Sequence, residues 1–197
     1  MIDFPEGTAV VYCEGAYNTP NGKTAHGLVR FTNRYTVKSV IDSRYAGQDA
    51  GMVIDRKDKN IPIFTSLDAV LNEAKKPEYF VVGLAPDGGR LSKEARTDVK
   101  KALSAGLHVD CGLHDYLSDD PDLTNLAKKN NVRIRDIRKS PKAADLHFFC
   151  GKIEEVKSLK VAVLGTDSAV GKRTTAWLLV HALEKAGLKG NRKENYR

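Results

Sequence analysis

The sequence predicts an α/β protein, with a parallel sheet flanked by helices on both faces and a separate strand–loop–helix unit after it. Short apolar runs alternate with helical segments between residues 8 and 137, at a spacing typical of strands joined by helical crossovers. Further along, the apolar run 160–164 leads through a glycine loop into an amphipathic segment, residues 176–186. Both observations indicate an α/β architecture.

Strands are predicted at residues 8–13, 36–42, 61–64, 79–84, 107–111 and 132–137, and helices at 25–31, 67–75, 93–105 and 123–129. Ser66 is expected to cap the second helix, and Gly106 to end the third. Residues 43–51 are predicted to form a loop. The acidic stretch 118–122 is interpreted as a helix-capping turn, with a metal site as the alternative.

The glycine loop of the last unit is typical of a phosphate-binding loop. Backbone N–H groups of such a loop and the positive end of the helix dipole attract an anion, and glycines allow its close approach. Lys172 is expected to reach the outer phosphates. The residues predicted to bind phosphate are Gly165, Thr166, Asp167, Gly171, Lys172, Arg173, Thr174 and Thr175.

This loop departs from the usual pattern at two places. Five residues rather than the usual four separate Gly165 from Gly171, and Arg173 stands where a Ser or Thr usually binds Mg²⁺. The pattern therefore supports anion binding more strongly than hydrolysis of a magnesium–nucleotide complex. A plain glycine turn between a strand and a helix is the alternative interpretation.

Composition indicates a folded protein with an anionic partner. Of the 197 residues, 41% are hydrophobic and 29% are charged, and the formal net charge is +7. The sequence has no basic stripe interleaved with aromatic residues, so a small anionic molecule is favoured over nucleic acid.

Three widely spaced cysteines suit a reducing compartment. With no signal-peptide pattern and no apolar run of membrane-spanning length, we expect a cytoplasmic protein without a membrane partner.

Charged residues just past predicted strands are candidate ligand contacts, because open parallel sheets bind ligands at the carboxyl ends of their strands. Arg44 follows the second strand, and Arg90 follows a turn with two glycines after the fourth. Either guanidinium suits a carboxylate or phosphate, and either is equally well a surface residue. Lys23, in a Gly-Lys-Thr tripeptide, is a further candidate, with a solvated lysine at a helix start as its alternative.

The dinucleotide fingerprint Gly-x-Gly-x-x-Gly is absent, which leaves an NAD-linked oxidoreductase as the least favoured class.

Two Cys/His pairs, at positions 111/114 and 147/150, carry the ligand types that zinc prefers. Cys111 lies within an apolar strand, where a free cysteine is usually packed, and nothing in the sequence brings the pairs together, so no metal is predicted. His114 and Asp115 are also a candidate base with its orienting carboxylate. Neighbouring strand residues point to opposite faces, which counts against that pair unless the chain turns there.

These motifs together resemble a family that joins an N-terminal Rossmann-like domain to a C-terminal P-loop domain, and whose characterised members are D-glutamate N-acetyltransferases. The resemblance implies acetyl transfer from acetyl-CoA to an acidic D-amino acid, in a catabolic route with a partner racemase. We expect a Rossmann-like domain at 1–140, a connector at 141–158 and the P-loop domain at 159–197. The matching stretches are residues 22–25, 41–44, 46–47, 49–51, 83–91, 112–115, 117–121, 146–149, 151–152 and 165–175.

Such a transfer needs a base for the acceptor amine and donors for the oxyanion of the thioester carbonyl. His26 and His114 are the candidate bases, and N–H groups near Gly88 and Gly89 are candidate donors. Arg44 or Arg90 would hold the carboxylates of the acidic substrate. Transfer from a thioester needs no Mg²⁺, so an arginine at position 173 is compatible with acetyl-CoA on the P-loop.

The P-loop domain of the family continues well beyond its first strand–loop–helix unit, whereas residues 190–197 do not resemble it. We therefore expect a C-terminally truncated member with a whole N-terminal domain and a partial P-loop domain. Two other function classes stay open. One is an ATP- and Mg²⁺-dependent ligase or kinase, because the loop is similar to those of dethiobiotin synthetases. The other is a nucleotide-binding fragment without turnover. Assembly into a homo-oligomer also stays open.

Overall fold

The computed structural model describes residues 5–73, 75–167 and 170–188. The chain divides into two compact units, Met1–Lys139 and Ser140–Arg197. Four parts of the chain on which the sequence carried predictions lie outside the described residues: the first four residues, residue 74 of the predicted helix 67–75, residues 168–169 of the glycine loop, and the segment 190–197.

The first unit is built on a six-stranded sheet in which every neighbouring pair of strands is parallel. The order β3-β2-β1-β4-β5-β6 reverses direction between β1 and β4, as in a doubly wound sheet. The predicted fold class is therefore confirmed. The strands are β1 (Thr8–Tyr12), β2 (Thr36–Ile41), β3 (Ile63–Phe64), β4 (Tyr79–Val82), β5 (His108–Cys111) and β6 (Ile134–Asp136).

Five α-helices connect these strands, and their ends follow capping rules. Ser66 accepts a hydrogen bond from the N–H of Ala69 (3.2 Å), and Gly106, with φ of 75°, follows the third predicted helix, as expected. Asp120 accepts bonds from the N–H groups at the start of the last helix, which confirms the capping role of the acidic stretch. The helices are α1 (Lys23–Phe31), α2 (Ala50–Asp55), α3 (Leu67–Glu73), α4 (Lys93–Ser104) and α5 (Pro121–Lys129).

Both faces of the sheet are covered, because successive strand residues point to opposite sides. On β1, Val10 and Tyr12 pack in the cluster that contains the apolar residues of α3, α4 and α5. Val11 and the following Cys13 pack in a second cluster with residues of α1 and α2. A strand buried on both faces is apolar throughout, which is why β1 and β4 stand out in the sequence as continuous apolar runs.

The structure corrects the prediction of a loop at residues 43–51. Ser43–Tyr45 forms a 3-10 turn, and α2 begins at Ala50. This helix is only six residues long, so it leaves little periodicity in the sequence. Asp49 begins it by accepting backbone hydrogen bonds from Met52 (2.9 Å), and the same carboxylate accepts one from Ile61 (2.7 Å).

In the second unit the helix after the glycine loop is confirmed as α6 (Lys172–Lys185). The apolar run 160–164 was predicted to be a strand, but the described part of the second unit contains no strand. A strand requires a hydrogen-bonded neighbour, and local sequence cannot supply one. The described side chains of this unit are all at least partly exposed, with Leu159 at 91% and Leu164 at 86%. No helix in the described ranges is long and apolar enough to cross a bilayer.

Candidate functional site

The loops that follow β1, β2, β4, β5 and β6 share the carboxyl edge of the sheet in the first unit, because all the strands are parallel. Loops on the two sides of the reversal point are tied directly: the N–H of Ala85 donates to the carbonyl of Asn21 (2.7 Å). The side chains predicted to act in the first unit lie on or beside these loops. They are Lys23, His26, Arg44, Arg90 and His114.

The loop after β1 is packed against the start of α1. A Cβ atom on Gly22 would lie 2.5 Å from the carbonyl oxygen of Ala16 and 2.7 Å from that of Tyr17, so glycine is required here by close packing. The Gly-Lys-Thr tripeptide at 22–24 therefore has a structural reason that involves no phosphate. Lys23, its middle residue, is exposed at the first position of α1.

His26 is held by its ring nitrogen. Its Nε2 contacts the carbonyl oxygen of Tyr17, and the two rings pack edge to face with centroids 5.7 Å apart. A carbonyl oxygen only accepts hydrogen bonds, so Nε2 carries the proton and the lone pair lies on Nδ1. The predicted base His26 therefore has Nδ1 for accepting a proton.

Arg44 was predicted to bind a substrate carboxylate, and in the structure it pairs with a carboxylate of its own chain. Its Nη2 lies 2.8 Å from Oδ2 of Asp42, and its Nε lies 3.1 Å from Oδ1. The Asp42 carboxylate is buried and also accepts the N–H of Tyr17 (2.7 Å). Burial by itself raises the pKa of Asp42, but the guanidinium and the backbone donors outweigh it and leave the pKa below its usual value. The pair thus orders the loops after β1 and β2.

His114 lies against the glycine turn after β4. The N–H groups of His114 and Asp115 both donate to the carbonyl of Gly89, at 3.0 and 3.2 Å. A Cβ atom on Gly89 would come within 2.8 Å of Cδ2 of the His114 ring, and Gly89 also has a φ of 62°. Glycine at position 89 is therefore needed both for the turn and for the place of the imidazole.

Two groups considered for roles in this region have other partners within the chain. Asp115 pairs with Arg96, whose Nη2 lies 2.9 Å from both carboxylate oxygens, and so does not orient His114. The N–H of Gly89, one of the candidate oxyanion donors, donates to the carbonyl of Pro86 (3.0 Å) inside the turn.

Arg138, two residues past β6, is a site residue that sequence reasoning missed. Its Nε donates to the carbonyl of Gly112 (2.7 Å), and its Nη1 lies 3.4 Å from Nε2 of His114. Within the described ranges Arg138 and Arg90 make no ion pair with a carboxylate. The signal was the same one that singled out Arg44 and Arg90, an arginine just past the carboxyl end of a strand.

Two of the three cysteines, Cys13 and Cys111, are buried. Burial raises the pKa of both Cys13 and Cys111 to about 12, so both thiols stay protonated near neutrality. Cys111, the last residue of β5, packs in the core. Among the described side chains, His, Cys, Asp and Glu form no group of three that could hold a metal ion.

The glycine loop of the second unit places its lysine at a helix start. Lys172 is the first residue of α6, and Gly171 before it has a φ of 85°. The Nζ of Lys172 contacts the carbonyl oxygen of Asp167, so the side chain folds back over the loop. A Cβ atom on Gly165 would lie 3.1 Å from Cδ of Lys172, which makes this glycine part of the same turn. Thr174 and Thr175 follow in the first turn of α6, beside Arg173. Thr166 lies in the described part of the loop.

Comparison with known proteins gives matches to both units. A family model described as the DUF1611_N Rossmann-like domain matches residues 43–140, and one described as the DUF1611_C P-loop domain matches residues 147–192. A crystal structure of a DUF1611 family protein from Anabaena variabilis is 32% identical, with a TM-score of 0.78, and the match covers 92% of this chain and 51% of that one.

Two curated relatives are both named D-glutamate N-acetyltransferase. The one from a Pseudoalteromonas species is 34% identical over 109 residues, which is 55% of this chain and 32% of the relative. The one from Tritonibacter scottomollicae is 28% identical over 124 residues, which is 62% of this chain and 36% of the relative. The matched region thus spans roughly a third of each relative's length. With a Rossmann-like and a P-loop domain model matched in order along one chain, this protein belongs to the DUF1611 family.

Proposed function

We propose that this protein takes part in acetyl transfer from acetyl-CoA to the amine of an acidic D-amino acid, which binds at the carboxyl edge of the sheet. The observation that carries the proposal is the similarity to two proteins named D-glutamate N-acetyltransferase. The geometry of the first unit supports it, because an imidazole lies there beside an arginine that has no carboxylate partner in the described chain.

The proposed reaction moves the acetyl group from the sulfur of CoA to the amine nitrogen. The acceptor ammonium loses one proton, and the free amine attacks the thioester carbonyl carbon to form a carbon–nitrogen bond. The tetrahedral oxyanion then collapses, the carbon–sulfur bond breaks, and the nitrogen loses its second proton. The thiolate of CoA takes up one proton, so the products are the N-acetyl amino acid, CoA and one free proton. A base beside the amine is the main requirement for the protein.

His114 is preferred of the two candidate bases because it lies beside an arginine that has no carboxylate partner in the described chain. Its Nε2 faces a guanidinium, which can only donate, so Nε2 is an acceptor and the ring proton lies on Nδ1. The backbone N–H of His114 donates to the carbonyl of Gly89, which holds the residue against the turn after β4. His26 keeps Nδ1 for accepting a proton while its Nε2 is held by the Tyr17 carbonyl, and it is the second candidate. Arg90 is retained as a contact for a substrate carboxylate, whereas Arg44 serves mainly Asp42.

In the second unit, the P-loop would hold phosphate groups of acetyl-CoA. Lys172 supplies a cation at the start of α6, and the backbone of Gly171 adopts a left-handed conformation open to glycine. Neither feature requires Mg²⁺. An ATP- and Mg²⁺-dependent reaction is the second candidate function, favoured by the match of residues 147–192 to a P-loop domain model.

The test of transfer is direct detection of product. The purified chain is incubated with acetyl-CoA and D-glutamate, and N-acetylglutamate is measured by mass spectrometry. We expect product with the wild type, less with L-glutamate, and at least about a hundredfold less with His114→Gln. Absence of product with the wild-type chain would overturn the proposal for this protein.

A thermal-shift titration separates the two ligands of the P-loop, because a ligand that binds only the folded state raises the melting temperature. We expect acetyl-CoA to raise it in the wild type and to do so less in Lys172→Ala. Lys185→Ala, at the other end of α6, is the control. A shift with magnesium–ATP and none with acetyl-CoA would favour the second candidate.

A further inference from the structure

The strongest unassigned feature is the contact between Arg138 and His114. It joins a pure hydrogen-bond donor to an acceptor nitrogen, with Nη1 and Nε2 3.4 Å apart. Both side chains are exposed at the carboxyl edge of the sheet, so a small molecule can reach them from solvent. The two groups are too few for a nucleotide, but they suit a ligand that carries an acceptor and a donor on neighbouring atoms.

Arg138 is held in place by the backbone. Its Nε donates to the carbonyl of Gly112 at the end of β5, and the N–H of Ile137 pairs with the carbonyl of Cys111 (2.8 Å). The phenol of Tyr116 donates to the carbonyl of Arg138 (3.4 Å). This arrangement fixes the guanidinium beside β5 and uses Nε alone of its donors for the backbone.

Arg138 differs from two other arginines of this region in its lack of a carboxylate partner within the described residues. Arg44 is paired with Asp42, and Arg96 is paired with both Asp115 and Asp120. Arg138 makes no such pair in the described part of the chain, so its positive charge is not neutralised by a nearby carboxylate. An unneutralised guanidinium with free N–H groups binds carboxylates well, through two parallel hydrogen bonds.

An α-amino acid carries a carboxylate and an amine on the same carbon atom. We propose that Arg138 binds the α-carboxylate of the acceptor amino acid, which replaces Nε2 of His114 as the acceptor for the Nη1 donor, and that the α-amine then lies against the freed Nε2. Arg138 is thus a substrate-binding residue, and His114 accepts the amine proton. This inference rests on the proposed function in that it names how the same acceptor is recognised.

Equilibrium binding without acetyl-CoA tests the inference apart from turnover. D-glutamate and D-isoglutamine, whose α-carboxylate is replaced by an amide, are titrated into the full chain by calorimetry. We expect the wild type to prefer D-glutamate by about tenfold or more. Arg138→Gln should bind the two equally, through loss of D-glutamate affinity, and Arg138→Lys should keep part of the preference because it keeps the charge but not the fork.

Lys100→Gln is the matched control, since it removes one exposed positive charge from α4 and should leave the preference unchanged. Equal binding of the two ligands by the wild type, or an unchanged preference in Arg138→Gln, would overturn the inference. A parallel titration with adenosine 3′,5′-bisphosphate tests the competing source of negative charge. If Arg138→Gln weakens that ligand alone, the site binds a phosphate of CoA and the inference is wrong.

The two proposals fail in different ways. If D-glutamate binds with the expected dependence on Arg138 but no N-acetylglutamate forms, the binding inference stands and the transfer does not. If product forms and the KM for D-glutamate is the same in wild type and Arg138→Gln, transfer stands and this assignment is wrong.

Discussion

The Arg44 guanidinium lies across the buried carboxylate of Asp42, with Nη2 and Oδ2 2.8 Å apart. The same carboxylate accepts the backbone N–H of Tyr17 in the loop after β1. One side chain at the end of β2 therefore holds two of the loops that form the carboxyl edge. In dinucleotide-binding sheets an acid at this position takes the ribose of the ligand. Here the acid is used within the chain, in agreement with the missing glycine fingerprint.

Asp42→Asn should destabilise the fold by about 2 kcal/mol at neutral pH, because it removes a charged partner from Arg44 and from a backbone donor. The Asp42 carboxyl has a folded-state pKa below its ordinary 3.8. Its contribution is therefore present above 3.8 and is lost as the pH falls from there through the folded-state pKa. Urea unfolding of wild type and variant at several pH values measures this. The gap between them should narrow in acid, and a gap independent of pH would contradict the prediction.

Gly89→Ala should disturb the imidazole of His114, since a Cβ there meets Cδ2 at 2.8 Å. Gly88→Ala is a matched control: its φ of 73° is equally unfavourable for alanine, but nothing lies within 4 Å of a Cβ at that position. Both variants should lose about 1 kcal/mol of stability. Only Gly89→Ala should move the NMR signals of the His114 ring and lower acetyl transfer. Equal effects of the two variants on the ring would show that the contact is unimportant.

Gly22→Ala should destabilise the first unit by about 1–3 kcal/mol, because the new methyl group overlaps two backbone carbonyls that cannot move independently. Gly27→Ala is the comparison variant, and its expected effect on stability has the opposite sign. It lies within α1 with open space around a Cβ, so alanine should stabilise the protein by up to about 1 kcal/mol. Thermal unfolding of both variants tests the difference in sign. A stable Gly22→Ala protein that binds phosphate less well would instead restore the tripeptide as a phosphate site.

The three cysteines should differ sharply in reactivity. Cys150 is exposed, whereas Cys13 and Cys111 are buried with pKa values raised to about 12. A thiol reagent at neutral pH should modify Cys150 quickly and the other two only after unfolding in guanidinium chloride. Cys150→Ser is the control and should show no fast phase. Rapid modification of Cys111 in the folded protein would contradict its burial at the end of β5.

Several elements could be predicted because their signals are local. Continuous apolar runs identified β1 and β4, which are buried on both faces, and Ser66 and Gly106 marked helix ends through their own backbone preferences. The helix α2 was missed because it has six residues and depends on a carboxylate that also binds a distant backbone N–H at Ile61. The predicted strand at 160–164 was wrong, since strand formation depends on a neighbour that the run itself does not encode.

Consecutive residues were enough to predict the fold class, the glycine loop before α6 and the family resemblance, since periodicity and short motifs are local properties of a chain. The pairing of charged side chains, in contrast, became known from the three-dimensional arrangement of the strands. In the folded protein Arg44 pairs with Asp42, and Asp115 pairs with Arg96. Arg138 contacts His114, which lies 24 positions earlier in the chain. Parallel strands place the ends of distant segments at one edge, so the partners of a side chain there depend on strand order and not on sequence neighbours.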